Sequence, residues 1–213
     1  MCARNIELKG TPTTWGPFFD GGRNMKIVEK GMYFAKNEFY EIIKSLGGEW
    51  NDTKFRPIVT LIKSSDNPDI YWAIPMGNLN HRDKNQQQRL QRYLAKKDHD
   101  IASCFYHVGK TDKNSIFFIS DVVPITMKYI EREYMVGPKS HNRQYVIKNK
   151  KLIAELERKV GRIIAFEKSY AQSQGKPKFR QRILDIYNYL EQELTLHSVQ
   201  SVPKQIASTG SNT

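Results

Sequence analysis

Residues 56–76 read RPIVTLIKSSDNPDIYWAIPM. Phe55 to Lys63 is rich in β-branched residues and Ile70 to Met76 is an apolar, aromatic run, so both have the composition of strands. Between them, Ser64 to Asp69 carries Asp66-Asn67-Pro68. Asp and Asn bond their own backbone and Pro presets φ, which makes this a turn. Two strand-like runs joined by a short turn predict a β-hairpin, and a hairpin means antiparallel pairing. The expected class is therefore α+β with a small antiparallel sheet, not a doubly wound parallel one.

Working outward, Ile27 to Phe34 reads as a strand. Asn37 to Leu46 reads as a helix with Phe39, Ile42, Ile43 and Leu46 on one face, stopped by Gly47-Gly48. After the hairpin, His81 to Asp100 is polar with weakly periodic Leu90, Tyr93 and Leu94, a surface helix or an ordered insertion. Ile101 to Val108 and Ser115 to Ser120 read as strands around a turn at 110–114. Ile125 to Met135 reads as a helix, with Pro124 at its start. Two long helices follow, Ile147 to Lys168 and Phe179 to Leu196, separated by Gly175 and Pro177. Residues 25–197 are expected to form one domain and 198–213 a disordered tail. Residues 1–24 have no periodicity and read as an irregular arm. Gly21-Gly22-Arg23-Asn24 would be encoded by a purine run resembling a bacterial ribosome-binding site, directly before Met25. Two readings stand side by side: Met25 is the true start, or the arm is an ordinary flexible N-terminus.

Among the 213 residues 39% are hydrophobic, including 10 Phe, 11 Tyr and 3 Trp, enough to build a core. No run of about 18 apolar residues occurs, which excludes a transmembrane helix of that kind. Two cysteines, Cys2 and Cys104, make neither a disulfide framework nor a four-cysteine zinc site. No basic-then-apolar leader pattern is present, and a reducing, cytoplasmic setting is expected. Lys and Arg total 34 against 22 Asp and Glu, a net charge of +12. That excess favours an anionic partner, nucleic acid first and an acidic membrane surface second.

The chain has no Walker loop, no glycine-rich dinucleotide fingerprint, no HExxH and no Gly-x-Ser-x-Gly elbow. Its five histidines lack metal-ligand spacing, and its carboxylates do not cluster as two-metal nuclease chemistry requires. Neither a metal nor a cofactor is expected.

Six stretches occur in a telling order: YFAKNEFYEI (33–42), RPIVTLIK (56–63), YWAIPMGN (71–78), FYHVGK (105–110), IFFISDVVPITMKYIEREY (116–134) and VIKNKKLIAELERKV (146–160). The set resembles the toxins of type III toxin–antitoxin systems, the CptN and ToxN/AbiQ group, and is most similar to the CptN branch. The resemblance spans roughly residues 30 to 168. It implies a compact, curled antiparallel sheet like that of the MazF/Kid toxins, an SH3-like barrel, flanked by helices and followed by a long helical part. It also implies a metal-independent endoribonuclease acting on cellular or phage RNA. In that family the toxin is held inactive by a structured antitoxin RNA that it cuts from a repeat transcript, often within a cyclic protein–RNA assembly, and the system acts in phage defence by abortive infection. No membrane partner is implied.

RNA cleavage without a metal needs a base for the 2′-hydroxyl, cations for the phosphorane and an acid for the leaving 5′-oxygen. Arg56 matches a basic residue at the start of the family's second strand and is the candidate phosphate clamp. Family members carry Thr/Ser-Ser just after the Pro that ends the third strand, with a nearby Lys in the ToxN branch. Here Pro75 is followed by Met76, Gly77, Asn78, Leu79, Asn80, His81 and Arg82, and Asn78 stands at or near the missing serine. Asn78, His81 and Arg82 are therefore the other catalytic candidates, His81 because imidazole titrates near neutrality. Lys36, Lys54, Asn80, Lys128, Lys150 and Lys151 are candidate RNA contacts. His107 reads as a sheet histidine and Tyr129 as core. The serine's absence keeps open a non-catalytic RNA-binding module on the same fold. An unrelated basic protein, acting on DNA or at a membrane surface, is the third reading.

Overall fold

The structure, a computed structural model, describes residues 27–50, 57–138 and 143–200, with the backbone alone for 59–62 and 197–200. The sequence-predicted hairpin is its centre. β1 (Met32–Ala35), β2 (Ile58–Lys63) and β3 (Ile70–Asn78) are consecutive antiparallel neighbours. β4 (Tyr106–Lys110), β5 (Asn114–Phe118), β6 (Val123–Thr126) and β7 (Ile130–Glu133) extend them. The seven form one sheet in the order β4-β5-β3-β2-β1-β7, with β6 also pairing β3. Among the described residues the sheet closes into no barrel, since β4 and β7 do not pair with each other. β8 (Met135–Val136) and β9 (Arg143–Gln144) make a separate two-stranded ribbon. The helices are α1 (Asn37–Ser45), α2 (Lys84–Leu94), α3 (Lys150–Gln174) and α4 (Ile183–Gln200). This is the α+β, antiparallel class, with its long helices at the C-terminal end.

Pro75 sits inside the central strand, where a missing N–H normally costs a ladder bond. Met76 N–H points to β2, bonding Pro57 O at 3.0 Å, so position 75 faces the other side. On that side β6 ends opposite Ala73 and β5 begins opposite Met76. The proline falls in the gap between two partners.

The apolar stripes pack as their periodicity predicts. Phe39 and Ile43 of α1, Leu152, Leu156, Val160 and Ile163 of α3, and Ile183, Ile186 and Leu190 of α4 are buried. Two polar residues share that buried surface of α3. Lys159 donates to the carbonyls of Ser103 and Tyr106, both at 2.9 Å, and Glu167 is wholly buried.

The largest correction concerns residues 125–135, expected as a helix. They form the end of β6, a 3₁₀ turn over Met127–Tyr129, β7 and the first residue of β8. Pro124, taken as a first-turn proline, lies in β6 opposite Trp72. β6 has one sheet neighbour among the described residues, and proline is tolerated on such an edge. The β-branched Ile125, Thr126 and Ile130 suit strands, and all three are buried.

Smaller corrections are local. β1 starts at Met32, not Ile27, because Lys30 takes φ 66° and Gly31 N–H closes a turn on Val28 O at 3.0 Å. Ile101–Cys104 is a 3₁₀ turn, not strand, because Asp100 Oδ1 caps it by accepting Ala102 N–H. α3 starts at Lys150, where Asn149 Oδ1 accepts Leu152 N–H at 3.2 Å, and runs past Lys168 to Gly175 at φ 64°. α4 starts at Ile183, not Phe179, and continues through Ser198 to Gln200, where a disordered tail was expected. The arm 1–24 and residues 201–213 lie outside the described residues.

Candidate functional site

β3 ends in Met76-Gly77-Asn78, and a single 3₁₀ turn, Leu79–His81, leads into α2. Asn78 builds that turn. Its Oδ1 accepts the backbone N–H of Asn80 at 2.9 Å, which orients the amide and turns Nδ2 toward His81 Nε2, 3.3 Å away. An amide NH₂ only donates, so Nε2 is the acceptor side of this contact. Asp83 then caps α2 by accepting Gln86 N–H at 2.8 Å. Arg82, between the two caps, folds back over β3. Its guanidinium carbon is 5.0 Å from the centre of the Phe118 ring. A Cβ at Gly77 would stand 2.8 Å from Arg82 Nη2 and 3.2 Å from Phe118 Cε2, so a glycine makes this approach possible. Arg82 Nε is buried with no hydrogen-bond partner among the described residues.

Arg82 also lines a cleft of about 570 Å³ between α2, the β4–β5 hairpin and the segment 178–181. Aromatic rings of Trp50, Tyr93, Phe105, Tyr106, Phe118 and Phe179 border it. Its charged lining is Arg82, Arg89, Lys178 and Arg180 against one carboxylate, Asp121. Asp121 is engaged, accepting from Gln181 Nε2 at 2.6 Å and lying 3.5 Å from Arg180 Nη2. Burial raises the Tyr106 phenol above its ordinary value, while the Arg89 charge pulls it down. The segment 178–181 is held by Glu167 on α3, whose carboxylate accepts the backbone N–H groups of Lys178 and Phe179. Burial pushes the Glu167 carboxyl above the usual carboxylate range, and those amides oppose the shift.

The structure gathers Asn78, Asn80, His81 and Arg82 in one turn. Lys36 belongs to the same end of the sheet. β1 and β3 flank β2 and run in one direction, with Tyr33 and Pro75 both paired to Ile58. Lys36 and Asn78 follow three residues beyond that level, and two strand spacings there amount to about 9–10 Å. Arg56 and Lys54 lie outside the described residues. Lys128 is exposed but engaged: its Nζ is 2.6 Å from Glu193 Oε1, which raises its pKa. Tyr129 is core, and its hydroxyl donates to the same oxygen at 2.7 Å. Lys150 and Lys151 are exposed in the first turn of α3, where positive charge opposes the helix dipole. His107 is half-buried on β4, and burial with the nearby Lys159 holds its imidazole below the ordinary value.

Sequence reasoning missed the cleft's far wall. Its signal was the run Lys176 to Arg182, KPKFRQR, an aromatic set among four cations. Tyr106 and Phe118 lay in segments read only as strands. Among the described residues no three His, Cys, Asp or Glu side chains converge on a point where a metal ion fits, and no helix is long and apolar enough to cross a membrane. No protein-family model matches the chain, and no curated protein matches it.

Proposed function

We propose that the chain is an endoribonuclease toxin of the type III toxin–antitoxin kind, cleaving RNA by 2′-hydroxyl attack and blocked by a small structured RNA that it processes. The observation that carries the reading is one end of the sheet, where β1 runs out to Lys36 and β3 to the Asn78–His81 turn, with Arg82 lining a cationic, aromatic cleft beside that turn. Unpaired RNA is read by stacking and phosphate contacts, and such a surface supplies both.

In this reading His81 Nε2 takes the 2′-hydroxyl proton once Asn78 releases it, and a water protonates the departing 5′-oxygen. Arg82, together with Arg56, meets the charge of the phosphorane. Asn78 takes the position of the family serine as a neutral hydrogen-bonding group. The curled sheet of the MazF/Kid toxins belongs to the same proposal. β6 and β7 would stand four strand spacings apart in a flat sheet, about 19 Å. The 3₁₀ turn joining them advances only about 8 Å at roughly 2 Å per residue, which supports strong curvature between β6 and β7.

The test is purified chain with single-stranded RNA in EDTA. Cleavage is expected to persist and to leave 2′,3′-cyclic phosphate ends. Loss of cleavage with chelator, or 5′-phosphate products, overturns the mechanism. RNA binding without any cleavage selects the non-catalytic RNA-binding module, which the exposed position of His81 favours as the second reading.

A further inference from the structure

The cleft beside the Asn78–His81 turn has a composition that the cleavage chemistry does not require. Three of its cations, Arg82, Arg89 and Lys178, make no ion pair among the described residues. Asp121, the one carboxylate present, is occupied by Gln181 and Arg180. Cations held together without counter-charges repel one another, and an incoming phosphate relieves that repulsion. Against them stands an aromatic wall, Tyr106 edge-on to Phe118 with ring centres 6.0 Å apart. The wall is backed by the sheet, because Tyr106 and Phe118 are cross-strand partners on β4 and β5. The backbone of the opposite wall is pinned by Glu167 through two amides, so the segment that carries its cations is set before any ligand arrives. A cavity of about 570 Å³ is within the usual range for small-ligand sites, about 300–1,000 Å³.

We infer that this cleft is a subsite for one unpaired nucleotide of an RNA strand, its base against Tyr106 and its phosphate against Arg89 and the 178–180 segment. The inference rests on the RNA reading above and adds where a single base leaves its stack. Arg82 joins the two places: it follows His81 in sequence and lines the cleft, so a strand seated there is led past the turn.

The test uses the full chain in EDTA and a fluorescent RNA hexamer, with binding read by anisotropy. A matched series replaces each nucleotide in turn by an abasic one. For the parent protein, one abasic position is expected to weaken binding by roughly tenfold, the usual cost of one lost stacked base. Tyr106→Leu is expected to weaken binding of the intact hexamer by a similar factor and to leave the hexamer abasic at that position unchanged. Arg89→Gln, an exposed change on α2 that keeps the fold, is expected to lower the slope of log affinity against log salt by about 0.7, one single-strand phosphate contact. Lys63→Gln, at the other end of β2, is expected to leave both readings at parental values. If no abasic position matters more than another, or if Arg89→Gln keeps the parental salt slope, the subsite is wrong while RNA binding stands. If the parent fails to bind the hexamer at low salt, the subsite and the RNA reading fall together.

Discussion

Glu167, midway along the buried face of α3, accepts the backbone N–H of Lys178 with both carboxylate oxygens, at 3.0 and 3.2 Å. It also takes the N–H of Phe179 at 3.3 Å. The two helices of the C-terminal part are thereby joined by a loop of set shape, and that loop carries one wall of the cleft.

Glu167→Ala is expected to cost about 2–4 kcal/mol in urea unfolding, since it leaves buried donors unpaired and a void behind. Glu167→Gln keeps one acceptor and is expected to cost less. Equal losses for the two variants would show that packing, and not the amide bonds, makes Glu167 matter.

Gly77→Ala forces Arg82 off the Phe118 ring, because the new methyl meets Nη2 at 2.8 Å. The far end of an arginine moves readily, so a loss of about 1 kcal/mol in stability is expected. The larger expected effect is on RNA cleavage, at least tenfold down. Parental cleavage in Gly77→Ala would remove Arg82 from the site.

His107 sets an acid-side dependence of stability. Burial and the charge of Lys159 hold its folded pKa below that of the unfolded chain, about 6.5. Its contribution is present above that value and is lost as pH falls through the lower, folded one, where the unfolded state binds the proton first. His107→Gln is expected to flatten the decline in melting temperature below about pH 6.5. An unchanged decline in that variant contradicts the assignment.

Lys128 was an RNA-contact candidate by sequence, and its ammonium lies on Glu193. Lys128→Ala is expected to change stability by less than about 1 kcal/mol, as exposed ion pairs do. It is also expected to leave the salt dependence of RNA affinity unaltered. A reduced slope would return Lys128 to the RNA surface.

His81→Ala is expected to abolish one limb of the pH–rate profile for RNA cleavage, and Asn78→Ala to lower the rate less, since it removes only a neutral hydrogen-bonding group. Both limbs surviving in His81→Ala would transfer the acid–base role to another group.

The hairpin at 56–76, the helix at Asn37 and the apolar stripes of α3 and α4 were legible in the sequence. Each rests on local periodicity or turn chemistry, which a short window contains. Ile125–Met135 was misread because Pro124 and Ile130 suit a helix start and a strand about equally, and only pairing with Trp72 and β1 decides between them. Asn78, His81 and Arg82 were nameable because they follow Pro75 closely, where the family resemblance puts its serine and cation.

The sequence by itself determined the antiparallel class and the positive charge. Only the tertiary structure decided that Arg82 lies over Phe118, that Lys36 shares the end of the sheet with Asn78, and that residues 178–181 face Tyr106. The physical reason is range. A strand or a cap is settled by neighbours a few residues away, whereas the cleft depends on Glu167 bonding amides on another loop and on strands pairing across more than thirty residues. No local pattern marks a buried carboxylate's partner, because the partner is a backbone N–H that every residue except proline carries.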